Sequence, residues 1–207
     1  MPHADMIAQT SLPRDPGAMR IEQRRDPRYT LLLRQAKLRT KSGEFLCVIR
    51  DVSTTGISIR TFHPLPASER MAIELREGCP YLVEKVWEQE GEAGFRFRDP
   101  VALGQMLEDD ARYPRRPIRI KVELPVEVVA TGERGSGQIT NLSQQGARLE
   151  ADRSWARDQL LRLGIDGLPP VYAKVRWRRE TVHGLVLEET FSFRDFAWCL
   201  ARLHRLV

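Results

Sequence analysis

The chain has 207 residues, 42% hydrophobic and 29% charged, a balance that suits one large folded domain or two of about 100 residues. Its formal net charge of +5 is spread evenly over the two halves, which argues against the concentrated positive face of a duplex-binding module. Cys47, Cys79 and Cys199 lack CxxC spacing, which argues against a disulfide framework or zinc site, and no stretch reaches the roughly 18 apolar residues of a membrane helix. With no apolar signal core near the start, a cytoplasmic protein is expected.

In chain order, residues 1–20 are rich in small polar residues and prolines and read as a mobile N-terminal tail. Residues 24–28 follow as Arg-Arg-Asp-Pro-Arg. Short alternating or apolar runs then give strand signals at Ala36–Arg39, Leu46–Ile49, Gly56–Ile59, Met71–Leu75 and Glu84–Trp87. Asp99-Pro100 offers an N-cap and first-turn proline for a helix over Val101–Glu108. Residues 109–114 form a linker, and residues 115–119 read Arg-Arg-Pro-Ile-Arg. A second series of strand signals covers Val126–Val129, Gly137–Ile139, Ala147–Leu149, Leu161–Leu163, Tyr172–Val175 and Gly184–Leu187. Ser192 and Asp195 then start a capping-box-like helix toward the C-terminus. Its apolar stripe of Phe193, Phe196, Ala197, Leu200, Leu203 and Val207 is either the lid of the second unit or a partner-binding face.

The chain is therefore read as a tandem repeat. Asp51-Val-Ser53-Thr-Thr-Gly56 is matched by Asn141-Leu-Ser143-Gln-Gln-Gly146, and the D/N-x-S-x-x-G pattern occurs nowhere else. Trp87 and Trp177 each lie 36 residues beyond the first residue of that pattern, and Gly94 and Gly184 each lie 43 beyond it. The arginine motif alone is uninformative, because 28 arginines produce about four RxxxR matches by chance and five are present. Its spacing to the second pattern is what counts: 23 residues from Arg28 to Asp51 and 22 from Arg119 to Asn141. The expected fold is mainly β, two tandem six-stranded β-barrels, each followed by a helix. The units span 21–108 and 115–207.

An extended cluster such as Arg24, Arg25 and Arg28 can clamp phosphate oxygens, pair with guanine O6 and N7, or stack on a purine ring. In the second pattern, a carboxylate at Asp51 accepts from guanine N1 and N2, Ser53 bonds phosphate or backbone, and Gly56 permits a tight turn; an Asx turn without ligand needs the same residues. Asn141 keeps an acceptor and adds a donor. Ser58 and Arg148 occupy equivalent places, and Arg148 offers either a phosphate contact or a surface salt bridge. Trp87 and Trp177 suit the barrel core or rim, or a stacking platform, while His63 and His183 read as structural or exposed. No catalytic triad or phosphate-cradling glycine loop is present, so no enzymatic activity is expected.

Taken together, RxxxR, D/N-x-S-x-x-G and the later V-x-W with its trailing glycine resemble the PilZ family, bacterial receptors for cyclic di-GMP. The resemblance implies a six-stranded barrel and a ligand held between the two motifs. It implies one site of Arg24, Arg25, Arg28, Asp51, Ser53 and Gly56, with Gln23 fitting the pattern. A second site would comprise Arg115, Arg116, Arg119, Asn141, Ser143 and Gly146, to which Arg148 is added. Pro117 stiffens this second arginine loop. The expected partners are cyclic di-GMP and a downstream protein, with no duplex DNA and no cofactor. Binding is expected to reorient the barrels, since residues 115–119 are at once clamp and connection. Two other functions remain open: an adaptor with one or both sites degenerate that binds a protein, and a single-stranded nucleic-acid binder.

Overall fold

The computed structural model describes residues 29–67, 70–107 and 117–205, with side chains from residue 34 onward except that of Leu107. Strands β1 (Tyr29–Thr40), β2 (Gly43–Val52), β3 (Gly56–Arg60), β4 (Met71–Glu74), β5 (Pro80–Gln89) and β6 (Glu92–Phe97) are all antiparallel. They close into a barrel in the order β1-β2-β3-β6-β5-β4. Strands β7 (Ile120–Ala130), β8 (Glu133–Ser143), β9 (Gly146–Ala151), β10 (Leu160–Gly164), β11 (Val171–Arg179) and β12 (Val182–Leu187) repeat the topology. The expected pair of six-stranded barrels is thus present, and closure leaves neither sheet with an open edge along its length. Inward alternation fills the first interior with Leu38, Phe45, Ile49, Ile59 and Ile73. The second is filled by Val128, Ile139, Leu149, Leu161 and Val175.

A helix follows each barrel, α1 (Leu103–Leu107) and α2 (Phe193–Leu203), and none of the described helices is long and apolar enough to cross a membrane. Helix α1 starts later than the Asp99-Pro100 signal predicts. The Val101 N–H donates to Thr54 O at 2.9 Å, which holds this stretch against the β2–β3 turn and defers the helix. The residue equivalent to Val101, Phe191, donates to Gln144 O at 3.0 Å. In α2 the predicted cap is observed: Ser192 Oγ accepts from Asp195 N at 3.1 Å.

Of the two alternatives for the α2 stripe the lid is observed: the helix closes the second barrel and also packs against β2 of the first, while Val207 lies outside the described residues. Phe196, Ala197 and Leu200 are buried in the second core, and Leu46 of β2 belongs to that same cluster. Strand β2 is consequently buried on both faces, with Phe45, Cys47 and Ile49 inward, Glu44 and Leu46 against the second half of the chain, and Val48 buried on the same outer face. Around this seam the Phe62 and Phe193 rings meet edge to face at 5.6 Å. His204, the C-cap of α2, lies against Gly43 and 4.9 Å from the Phe45 ring; His63 touches the same ring at 5.2 Å. Burial pushes the Cys47 thiol up to about 12, so it packs as a small apolar side chain.

Both seam histidines are held below the ordinary imidazole range. Burial is the main cause, and it outweighs the opposing pull of the Pro64 carbonyl and Glu88 on His63 and of Glu44 on His204. His183, buried with its Nε2 accepting from Trp155 N at 2.9 Å, is lowered by burial as well. Above an unfolded-state value of about 6.5 these groups are neutral in both states and contribute no pH dependence. Below it the unfolded chain takes up protons that the fold refuses. Denaturant midpoints are therefore expected to be flat between pH 7 and 8 and to fall between pH 6.5 and 5.5, above the carboxylate range, with His204→Gln reducing the fall. A midpoint independent of pH across that window would contradict the assignment.

Candidate functional site

The two D/N-x-S-x-x-G segments close the β2–β3 and β8–β9 hairpins, and the same backbone irregularities surround each. The β2–β3 register shifts between Ile49 and Asp51, as the β8–β9 register does between Ile139 and Asn141. Such a bulge re-aims the side chain that follows it. On the other side, the β1–β2 register shifts between Thr30 and Arg34, and that of β7–β8 between Lys121 and Leu124. The first of these skips three residues and the second two. The unequal spacings of 23 and 22 are absorbed there, and Thr30 comes to face Asp51 as Lys121 faces Asn141.

Asp51 and Asn141 are half-buried at this rim, and each has its hairpin partner opposite, Ser58 for Asp51 and Arg148 for Asn141. The Ser58 hydroxyl donates to Asp51 Oδ2 at 2.6 Å, a short charge-assisted bond that fixes the carboxylate. Arg148 instead lies 3.7 Å from Glu150 with both side chains about half exposed, a pairing weak enough to yield to a bound anion. The salt-bridge alternative for Arg148 is therefore realised without burying its guanidinium.

The serines and glycines play a different part. Ser53 is buried; its Oγ accepts from Gly56 N at 3.1 Å and donates to Gly56 O at 3.4 Å, while Ser143 Oγ donates to Gly146 O at 3.1 Å. These hydroxyls hold the turn. Neither glycine adopts a positive φ, so the conformational reason expected for them is replaced by close packing. A Cβ on Gly56 would stand 2.9 Å from Phe95 O, and one on Gly146 still closer to Leu185 O. The turn is pinned further by Phe97 N to Thr55 O and Leu187 N to Gln145 O, both 2.9 Å.

Trp87 and Trp177 are half exposed outside their barrels, not in the core, and each indole lies over the glycine paired with it across the strands, Gly94 or Gly184. This is how an aromatic covers a weak strand glycine, and it explains their fixed spacing. Of the arginines, Arg24, Arg25, Arg28, Arg115 and Arg116 lie outside the described residues. Arg119 is exposed, and its carbonyl accepts from Lys37 Nζ of the first barrel at 3.4 Å. Lys121 is exposed as well, and its N–H donates to Glu44 Oε2 at 2.8 Å. Lys37 and Glu44 escaped the sequence reading because alternation places them on a solvent face, and their burial depends on the other half of the chain.

The PilZ domain family model matches residues 22–108 and again 109–196. The chain belongs to the PilZ family. No curated protein sequence matches this PilZ chain. Among solved structures it is similar to the Borreliella burgdorferi PlzA protein in complex with c-di-GMP at 12% identity over 84% of this chain and 87% of that one, with a TM-score of 0.35. It is similar to the Bacillus subtilis inhibitor of motility MotI/DgrA at 13% identity, over 83% and 97%, with a TM-score of 0.35. For YcgR in complex with c-di-GMP from Escherichia coli the values are 10%, 83%, 84% and 0.33.

The geometry of the PilZ turns gives a direct prediction. Gly146→Ala forces a methyl group into a backbone carbonyl and should destabilise the fold by about 2 kcal/mol or more. Ser143→Ala should cost about 1 kcal/mol through its hydrogen bond. Chemical denaturation of both variants checks the order, and a glycine substitution milder than the serine one would refute the packing account.

Proposed function

We propose that this protein is a cyclic di-GMP receptor in which each barrel carries one site. The first combines Arg24, Arg25 and Arg28 with Asp51, Ser53 and Gly56. The second combines Arg115, Arg116 and Arg119 with Asn141, Ser143, Gly146 and Arg148. The single observation that carries this reading is the shared register. Thr30 faces Asp51 and Lys121 faces Asn141, so in both copies the last arginine of RxxxR stands two residues before the position opposite the Asx side chain. Chain connectivity ties the arginine motif to the turn at its base.

The chemistry fits the ligand. A carboxylate fixed by Ser58 accepts from a guanine N1–H and N2–H, the arginines meet the phosphates and the guanine O6 and N7, and their planes stack on the purines. In the second copy Asn141 gives up the charge, and the exposed cations Lys121, Arg119 and Arg148 offset the loss toward a dianion. Ser53, Ser143 and the glycines act by holding the turn rigid. The receptor units span residues 21–108 and 115–207, with 109–114 as linker. Ligand gripped by residues 115–119 sits on the connection between barrels, so its binding alters their packing and, through that, the engagement of a downstream protein in the cytoplasm.

Calorimetry and small-angle scattering on the same samples test this. The parent should bind cyclic di-GMP and change its scattering on saturation. Arg24→Ala with Arg119→Ala should weaken binding at each site by roughly tenfold or more, from the loss of one charged hydrogen bond there. Parental affinity in the double variant would defeat the site assignment, and scattering unchanged at saturation would defeat the reorientation.

A further inference from the structure

Four charged side chains of the first barrel form a nearly closed network. Lys37 Nζ stands 3.2 Å from Glu44 and 3.3 Å from Glu74, and Arg39 reaches the same two carboxylates at 3.5 and 3.3 Å. The side chains of Lys37, Glu44 and Glu74 are only 5–10% exposed. Charges withdrawn this far from water require their remaining hydrogen-bonding capacity to be met. Two of the partners are main-chain groups from the entry to the second barrel: Lys37 donates to Arg119 O, and Glu44 accepts from Lys121 N.

The repeat supplies an internal control. The positions equivalent to Lys37 and Glu44 are Glu127 and Arg134, an ion pair of reversed sign at 3.3 Å whose side chains are 52% and 78% exposed. Glu74 is replaced by Gly164 and Arg39 by Val129. A barrel of this fold therefore closes without a buried charge network on this face. What the network serves is the segment docked on it. That segment holds Arg119, the last residue of the second arginine motif, and Lys121, which faces Asn141. Alternate residues of an extended strand share a face, so anchoring the main chain at these points fixes how both cations are presented. Among the described residues neither side-chain cation has a hydrogen-bond or ion-pair partner of its own.

We infer that Lys37 and Glu44 of the first barrel are positioning residues for the nucleotide site of the second. This rests on the receptor reading above. The second site is completed across the seam. Holding Arg119 and Lys121 in place lowers the conformational cost of binding a dianion.

The test uses the full chain with the first site removed by Arg24→Ala and Asp51→Ala, so that a cyclic di-GMP titration reads the second site only. In that background Glu44→Ala should weaken binding by roughly tenfold, the worth of a charged hydrogen bond. Glu44→Gln, which keeps an acceptor for Lys121 N, should stay within about threefold. With the second site removed instead by Asn141→Ala and Arg119→Ala, Glu44→Ala should leave the first site's affinity unchanged. Should Glu44→Ala fail to fold, the charge-balanced pair Lys37→Met with Glu74→Gln frees the Arg119 carbonyl and carries the test, with the same selective loss expected. Unchanged or tighter binding at the second site, or an equal loss at both sites, overturns the inference alone. No binding at all by the parent with its first site removed overturns the receptor reading of the second barrel and this inference with it.

Discussion

The buried contact that Lys37 and Glu44, networked with Glu74, make with the main chain of Arg119 and Lys121 is the constraint on which the arrangement of this protein depends. Two carboxylates and a lysine cannot be sealed from water unless each finds strong partners, and leaving one unpaired costs about 3–5 kcal/mol. Two of those partners lie on the connection to the second barrel, so the network is complete only when that connection is docked. Leu46 and α2 then extend the contact along β2, and His204 closes it over Gly43. An apolar seam alone would be less particular about register, whereas hydrogen bonds to two named main-chain groups fix the angle at which the second barrel leaves the first.

The two barrels show how a duplicated scaffold diverges while its candidate site stays in place. Bulges recur at equivalent points, and both turns press a glycine against a carbonyl of the facing strand. Around this constant frame the chemistry changes. Asp51 with Ser58 makes a fixed acceptor of negative charge, and Asn141 with Arg148 makes a neutral amide beside an exposed cation. The one-residue difference between copies falls in a β1 bulge, where it leaves the pairing of the site undisturbed.

Much of this was legible in the sequence because it is local or repeated. Alternating runs such as Ala36–Arg39 and the doubled D/N-x-S-x-x-G pattern gave the strand content, the barrels and the turns, since strand periodicity and turn chemistry act over a few residues. The reasons attached to some residues were less legible. Gly56 reads as a tight-turn residue, but it and Gly146 are required for close approach to another strand, which only the folded register reveals. Trp87 and Trp177 read as core or rim, and their fixed distance to Gly94 and Gly184 was in fact a cross-strand pairing. Lys37 and Glu44 carried no signal at all. Their alternation is that of a solvated face, and what buries them arrives more than 70 residues later.

The proposal of two receptor sites is most directly tested by the number of cyclic di-GMP molecules bound per chain at saturation, compared between the parent and Asn141→Ala. Two working sites predict that the substitution removes the share of ligand held by the second barrel and leaves that of the first at its parental affinity. A parent whose full complement survives Asn141→Ala with unchanged affinity would contradict the account.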